Sequence, residues 1–295
     1  MTEPRPSAIP CSARDRRTGY LLAAPAGVLL GFVALFPILF AAWLSLHRMI
    51  LVLRERHFVG LANYAFLLHD ARFWTALENT AYFAVFSVIA EVALGLAIAH
   101  LLVSAAPGQR LLRATILIPW AIPAAVSGKI WAWLFNPEYG LITRIGPGSI
   151  NWLGTPGYAM PAAIVVDVWK TVPFVTLLFF AALLRIPEDL QRAAQLDGAS
   201  AWRIFRSITL PLLKPTLAVV LVLRTLDAFR VFDAIYVLTA GGPANTTETL
   251  AIYTYKTLMD AGDFGHGSTL AIATFLCVMV VSVVYLRLLG QEGRG

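Results

Sequence analysis

The stretch Ile186-Pro-Glu-Asp-Leu-Gln-Arg-Ala-Ala-Gln-Leu-Asp-Gly-Ala-Ser-Ala-Trp-Arg-Ile-Phe-Arg-Ser-Ile-Thr-Leu-Pro211 decides how this chain is read. Pro187 suits a first helical position, and Glu188 and Asp189 complement the positive end of a helix dipole. Leu190, Ala193 and Ala194 fall at i, i+3 and i+4, a narrow face of small apolar side chains. Gly198 can take the left-handed conformation that ends a helix. Ser200 can then cap a second helix carrying Trp202 and Phe205 one turn apart, with Pro211 expected to stop it. A helix–glycine–helix elbow of this kind suits docking: its small-residue face admits a close partner, and the aromatic pair can anchor it. On pattern alone, an ordinary pair of surface helices meets the same constraints.

The elbow lies between long apolar runs. Of 295 residues, 58% are hydrophobic and 14% charged, with a mean hydropathy of +0.72. Soluble domains carry about 45–50% apolar and about 25% charged residues, so a soluble enzyme is excluded. The net charge of +6 does not signal nucleic acid, because the arginines sit in short clusters between apolar runs. Two cysteines, Cys11 and Cys277, support neither a disulfide framework nor a thiolate metal site. A span needs roughly 20 mostly apolar residues. Six segments qualify: Tyr20–Leu46, Asn79–Leu102, Ala114–Phe135, Ala159–Leu184, Thr216–Tyr236 and Ser268–Leu286. The first is 27 residues long, too long for the apolar region of a signal peptide, and reads as an anchor.

Six spans put both ends on one side. Thirteen lysines and arginines fall on the side of the termini and the elbow, against six on the other. The positive-inside rule makes the first side cytoplasmic. The expected organisation is a cytoplasmic segment 1–19, a six-helix domain 20–290 with its loop at 186–211, and a cytoplasmic tail 291–295. In the outer loop His47–Trp74, the rings of Tyr64, Phe66, Phe73 and Trp74 suit an interfacial helix. Asn136–Gly157 reads as an irregular outer loop.

The segment Arg192-Ala-Ala-Gln-Leu-Asp-Gly198, followed by Ile208-Thr-Leu-Pro211, resembles the EAA loop of permease subunits in ATP-driven importers. Further phrases resemble sugar-importer permeases, in particular the larger permease subunit of maltose- and trehalose-type systems. They are Gly60-Leu-Ala-Asn-Tyr64, Phe73-Trp74…Asn79-Thr80, Ile118-Pro119…Pro123, Trp133-Leu-Phe-Asn-Pro-Glu-Tyr-Gly140 and Phe232…Tyr236-Val-Leu-Thr-Ala-Gly-Gly-Pro243. The resemblance implies an all-α, six-helix type I importer permease in a bacterial inner membrane. It implies ATPase coupling through Glu188, Arg192, Ala193, Ala194, Asp197, Gly198, Trp202 and Phe205. The implied partners are a second permease subunit, two copies of an ATPase subunit, and an extracytoplasmic sugar-binding protein that a lipid anchor could hold at the surface. One departure matters: the family glutamate that heads the motif and faces a basic residue on the ATPase is Arg192 here. That contact must differ, with Glu188 or Asp189 as candidate substitutes.

A charge inside hydrocarbon costs at least about 2.5–3.5 kcal/mol, so each needs a reason. Asp167, Lys170, Thr171 and Phe174 occupy i, i+3, i+4 and i+7, one face of the fourth span. They read either as an internal Asp167–Lys170 ion pair or as a sugar site in which polar groups bond hydroxyls and a ring packs on the pyranose. The family resemblance favours the sugar site, since these positions coincide with the pocket-lining stripe of the similar maltose permease. In the fifth span, Arg224, Asp227 and Arg230 can pair along one face, with Arg224 and Asp227 as further pathway candidates. Glu91 and Lys129 are single intramembrane charges, expected to meet partner packing or water-filled cavities.

No phosphate-binding glycine run exists, since Gly128-Lys129 is followed by Ile130. The chain is expected to bind no cofactor itself, ATP and Mg belonging to the partner ATPases. Gly265-His-Gly-Ser268 reads as a capped helix start. Two rivals stay open: an importer of a glycerol-phosphate-type anion met by Lys170, Arg224 and Arg230, and an ion-coupled transporter using Asp167 and Glu91 as proton sites.

Overall fold

Among the described residues five helices are long and apolar enough to cross a bilayer, and counting one sharply bent pair as a single span makes six. The computed structural model describes residues 13–103, 109–145 and 150–290. The proposed tail 291–295, Cys11, and the first twelve residues lie outside that description. Helix α1 (Ala13–Ser45) leads into an antiparallel hairpin, β1 (His47–Ile50) and β2 (Glu55–Phe58), with His47 opposite Phe58. A helix does form in the outer loop, α2 (Ala62–His69), which carries Tyr64 and Phe66, while Phe73 and Trp74 fall in the second span, α3 (Ala71–Val103).

The third span is broken. Helices α4 (Gln109–Ile116) and α5 (Ile118–Ala121) precede α6 (Ala124–Leu134), and the chain turns by 100° between Ala121 and Ala124. The cause is local: a residue before proline is pushed out of the helical region, and Ile122, before Pro123, is extended at ψ 132. The short α7 (Leu141–Ile145) and the fourth span α8 (Pro156–Leu183) follow, then the elbow helices α9 (Glu188–Leu196) and α10 (Ala201–Ile204).

The fifth span departs from expectation at both ends. Pro211 does not stop the second elbow helix: α10 continues through a π-helical turn, Phe205–Thr209, into α11 (Leu210–Phe229). The wide turn just upstream removes the clash that a proline ring makes with the carbonyl four residues back. At the other end the helix stops at Phe229 rather than running to Tyr236. The chain then folds α12 (Asp233–Thr239) across α6, where a Cβ on Gly128 would meet Val237 Cγ1 at 3.1 Å. Last come α13 (Leu250–Tyr255), a second π-helical turn, and α14 (Phe264–Gly290), which carries the sixth span. Asp263, just before the Gly265–Ser268 cluster, caps α14 through a 2.9 Å bond from the His266 N–H.

The spine of the bundle is α3 against α8, with α11 across both. A Cβ on Gly95 would sit 2.6 Å from Val175 Cγ1, so glycine sets how close the two helices lie. Ala99, Val175, Phe179, Leu183, Leu213 and Val220 fill the half nearer the elbow. Burial separates the spans: half of the most apolar window of α8 is buried, against 6% for α1. The α1 helix packs on α14 and leaves most of its surface to the membrane or to another subunit.

Away from the elbow, the loop before α13 is tied to the start of α3. Asn79 Nδ2 donates to the carbonyls of Asn245 and Glu248 at 3.0 and 3.1 Å, and the Leu250 N–H donates to Thr80 Oγ1 at 2.9 Å. Glu248, 1% exposed, accepts from Arg72 and Lys256 at 2.7–2.9 Å. Burial raises its pKa, but those bonds outweigh burial and hold the carboxyl below its ordinary value.

Candidate substrate pathway and docking elbow

The intramembrane charges converge on Arg224. Its Nε donates to Glu91 Oε2 at 2.6 Å and its Nη2 to Glu91 Oε1 at 2.9 Å, a bidentate fork between α11 and α3. Asp167 of α8 lies 3.5 Å from the same Nη2, and Asp227, one turn on, accepts from Nη1 at 3.2 Å. Arg230 donates to the other oxygen of Asp227 at 3.2 Å. Glu91 is 0% and Arg224 5% exposed, so this is a buried knot joining three spans. Asp227 and Arg230 lie at its more exposed edge.

Of the two readings of the stripe, the structure disfavours the Asp167–Lys170 ion pair. The acid is held by Arg224, and Lys170 has no ion-pair partner within 4 Å among the described residues. Thr171 Oγ1 lies 2.6 Å from both Glu91 Oε1 and the Asp167 carbonyl, so its single proton serves one at a time. Glu91, expected to stand alone, is the principal partner of Arg224. The signal was available in principle: a lone acid on one span and a lone arginine on another are each too costly to leave unpaired in hydrocarbon.

Phe174, one turn below Thr171, is not alone either. Trp120 of α5 stacks against it, ring centroids 6.0 Å apart and planes 21° from parallel. The 100° break in the third span brings this half-exposed indole to α8. Trp131 of α6 packs edge-on to Trp169 at 5.6 Å. Continuing down the Phe174 face, Leu178, Ala181 and Arg185 line a cleft of about 520 Å³ between the ends of α8 and α11. The structure thus brings together Asp167, Thr171, Arg224 and Asp227, leaves Lys170 unpaired, and adds Glu91 and Trp120.

The elbow forms as its sequence indicates. Gly198 has φ +77 and ends α9, and Ser200 caps α10 by accepting from the Arg203 N–H at 3.3 Å. Pro187 is the residue before α9, one position earlier than expected, with Glu188 and Asp189 in the first turn. Open space surrounds Gly198, so the backbone conformation requires glycine, not crowding. No residue of α9 is buried; Leu190 and Leu196 are exposed, the latter by 90%, and face away from the bundle. Arg192 bonds Glu188 one turn back at 2.5 Å, so Glu188 is already engaged within the chain, while Asp189 makes no ion pair among the described residues. Phe205 meets His100 at the end of α3, ring centroids 6.4 Å apart, and Ile204 beside it is buried. Trp202 stacks on Phe205 at 5.6 Å but stays 68% exposed, so it does not pack against the spans as expected.

The structure is a bundle of apolar helices with charged and aromatic groups between its spans and an exposed pair of elbow helices at one end, the architecture of a membrane transport subunit. Residues 91–291 match the family described as the inner membrane component of binding-protein-dependent transport systems. The chain belongs to that family, and is a permease subunit rather than an enzyme. It is 44% identical to the trehalose/maltose transport system permease protein MalF of Thermococcus litoralis, over 93% of this chain and 94% of that one. It is 39% identical to the trehalose transport system permease protein SugA of Mycobacterium tuberculosis, over 95% of this chain and 91% of that one. Its fold matches a chain of a bacterial ABC transporter for alginate import with TM-score 0.81 at 19% identity, covering 94% and 98% of the two. Family membership removes the ion-coupled reading, because transport in this family depends on a binding protein.

Proposed function

We propose that this subunit forms half of the pathway of an ATP-driven importer for a sugar, with a disaccharide such as trehalose or maltose the favoured substrate. The observation that carries this reading is the Trp120–Phe174 ring pair, set one turn from Thr171 and the unpaired Lys170. Flat rings beside fixed hydroxyl, ammonium and carboxylate groups suit a polyhydroxylated ring with one apolar face. Asp227, half-exposed at the edge of the charge knot, is the acceptor best placed to meet a sugar hydroxyl. Arg224 is committed to Glu91, which weakens the anion alternative and leaves Lys170 as the cation of this stripe. The names of the two relatives support the choice of substrate.

In this reading α9 docks on an ATPase subunit through Leu190, Ala193, Ala194 and Asp197, with Trp202 at the edge of the contact. A second permease and two ATPase copies complete the transporter. ATP and Mg are held by those ATPases, and this chain holds no cofactor. Both termini and the elbow face the cytoplasm, and a sugar-loaded binding protein docks on the opposite face. The test is co-purification of the complex from its own membranes, followed by uptake of labelled trehalose, maltose and a glycerol phosphodiester into vesicles. Uptake of a disaccharide that needs Trp120 and Phe174 supports the reading. Uptake of the phosphodiester alone, abolished by Lys170→Met, overturns it.

A further inference from the structure

The hairpin His47–Phe58 follows α1 and rests on the segment that leads into α14, at the end of the domain opposite α9. Ile50 bridges Asp263, and the Leu51 N–H donates to the Gly262 carbonyl at 2.9 Å. Both partners precede the first residue of α14, so the turn at 51–54 lies beyond the level where the sixth span begins. Its base is fixed. A Cβ on Gly265 would fall 2.2 Å from the His47 carbonyl oxygen, so glycine there lets β1 lie directly on the start of α14.

What this base holds up is apolar. Leu51, Val52 and Leu53 are 60%, 78% and 61% exposed, three in a row outside the spans. A run of exposed apolar residues on a rigid turn marks a contact surface. The charge around it is one-sided: Arg48, Arg54 and Arg56 against Glu55, with Arg48 taking Glu55 at 3.2 Å. Arg56 lies over the Trp43 ring at 5.0 Å, and neither it nor Arg54 has an ion-pair partner among the described residues. Beside the hairpin opens a cleft of about 560 Å³, walled by Phe66, Tyr253 and His266.

We infer that this hairpin and its cleft are where the chain receives the binding protein, which meets it with an acidic surface around an apolar pocket. The inference rests on the reading above that the binding protein works on the face opposite the elbow. A lipid headgroup would suit the same cations, but a turn raised past the start of α14 is placed for a partner in water.

The experiment uses the whole transporter in nanodiscs and follows its ATPase rate against the concentration of its trehalose-loaded binding protein. The triple variant Leu51→Ser, Val52→Ser, Leu53→Ser and the double variant Arg54→Glu, Arg56→Glu should each raise the half-saturating concentration at least tenfold at unchanged maximal rate. A fluorophore on Val52→Cys should become shielded from an aqueous quencher only when the binding protein is added. Unchanged half-saturation in both variants overturns the inference, as does a fluorophore already shielded by lipid before the protein is added. A wild-type complex that its binding protein fails to stimulate would instead overturn the functional reading, and this inference with it.

Discussion

Replacing Glu91 by glutamine should destabilise the membrane domain by about 3 kcal/mol. The carboxylate is 0% exposed and takes two donors of Arg224 at 2.6 and 2.9 Å. Removing one partner of a buried ion pair costs about 3–5 kcal/mol, because the other charge is left unmatched. Two features place Glu91→Gln at the lower end. The amide keeps one carbonyl oxygen for Arg224, and Asp167 and Asp227 stay at 3.5 and 3.2 Å to hold part of the charge. Adding Arg224→Met removes the stranded cation and should recover at least half of the loss, about 1.5 kcal/mol, since a buried pair replaced by apolar side chains is often neutral. The assay is denaturant unfolding of the purified complex in detergent micelles, followed by tryptophan fluorescence and size exclusion for the two single variants and the double. Glu91→Gln within about 0.5 kcal/mol of wild type, or single costs that simply add, would refute the idea that the knot locks α3, α8 and α11.

Lys170→Met should leave assembly intact and lower transport, whereas exchanging Asp167 and Lys170 should fail to assemble, because it sets an ammonium beside Arg224; pull-down and uptake assays separate the two. Trp120→Ala and Phe174→Ala should each weaken sugar uptake about two- to tenfold, the worth of one aromatic contact, at normal assembly, measured as half-saturation for trehalose. Gly198→Val should reduce ATPase co-purification while Gly198→Asn retains most of it, because the left-handed backbone at φ +77 costs a side chain about 1–2 kcal/mol and asparagine bears it best. The lowered pKa of Glu248 contributes stability that is fully present above the ordinary carboxylate value of 4.5 and is lost as pH falls through the folded value. Thermal unfolding of the complex across that acid range should show the loss, and Glu248→Gln should flatten it.

The sequence by itself determined what depends on neighbours along the chain. Runs of apolar residues long enough to cross a bilayer can do little else, so the six spans were legible, with ends within a few residues for four of them. The elbow was legible too, because a helix start at Glu188 and Asp189, a glycine stop at Gly198 and a cap at Ser200 act within one or two turns. Tertiary structure decided what depends on residues far apart. Glu91 and Arg224 are 133 positions apart, and no spacing rule on one helix could choose Arg224 over Lys170 as the partner of Asp167. Trp120 reaches Phe174 because the third span breaks before Pro123. Hydropathy averages over that break, just as it averaged over the end of α11 at Phe229. Helical periodicity assigns a side chain to a face of its own helix, but only the packing of α3, α5, α8 and α11 decides which faces meet, and so which charges are neutralised and which remain for a ligand.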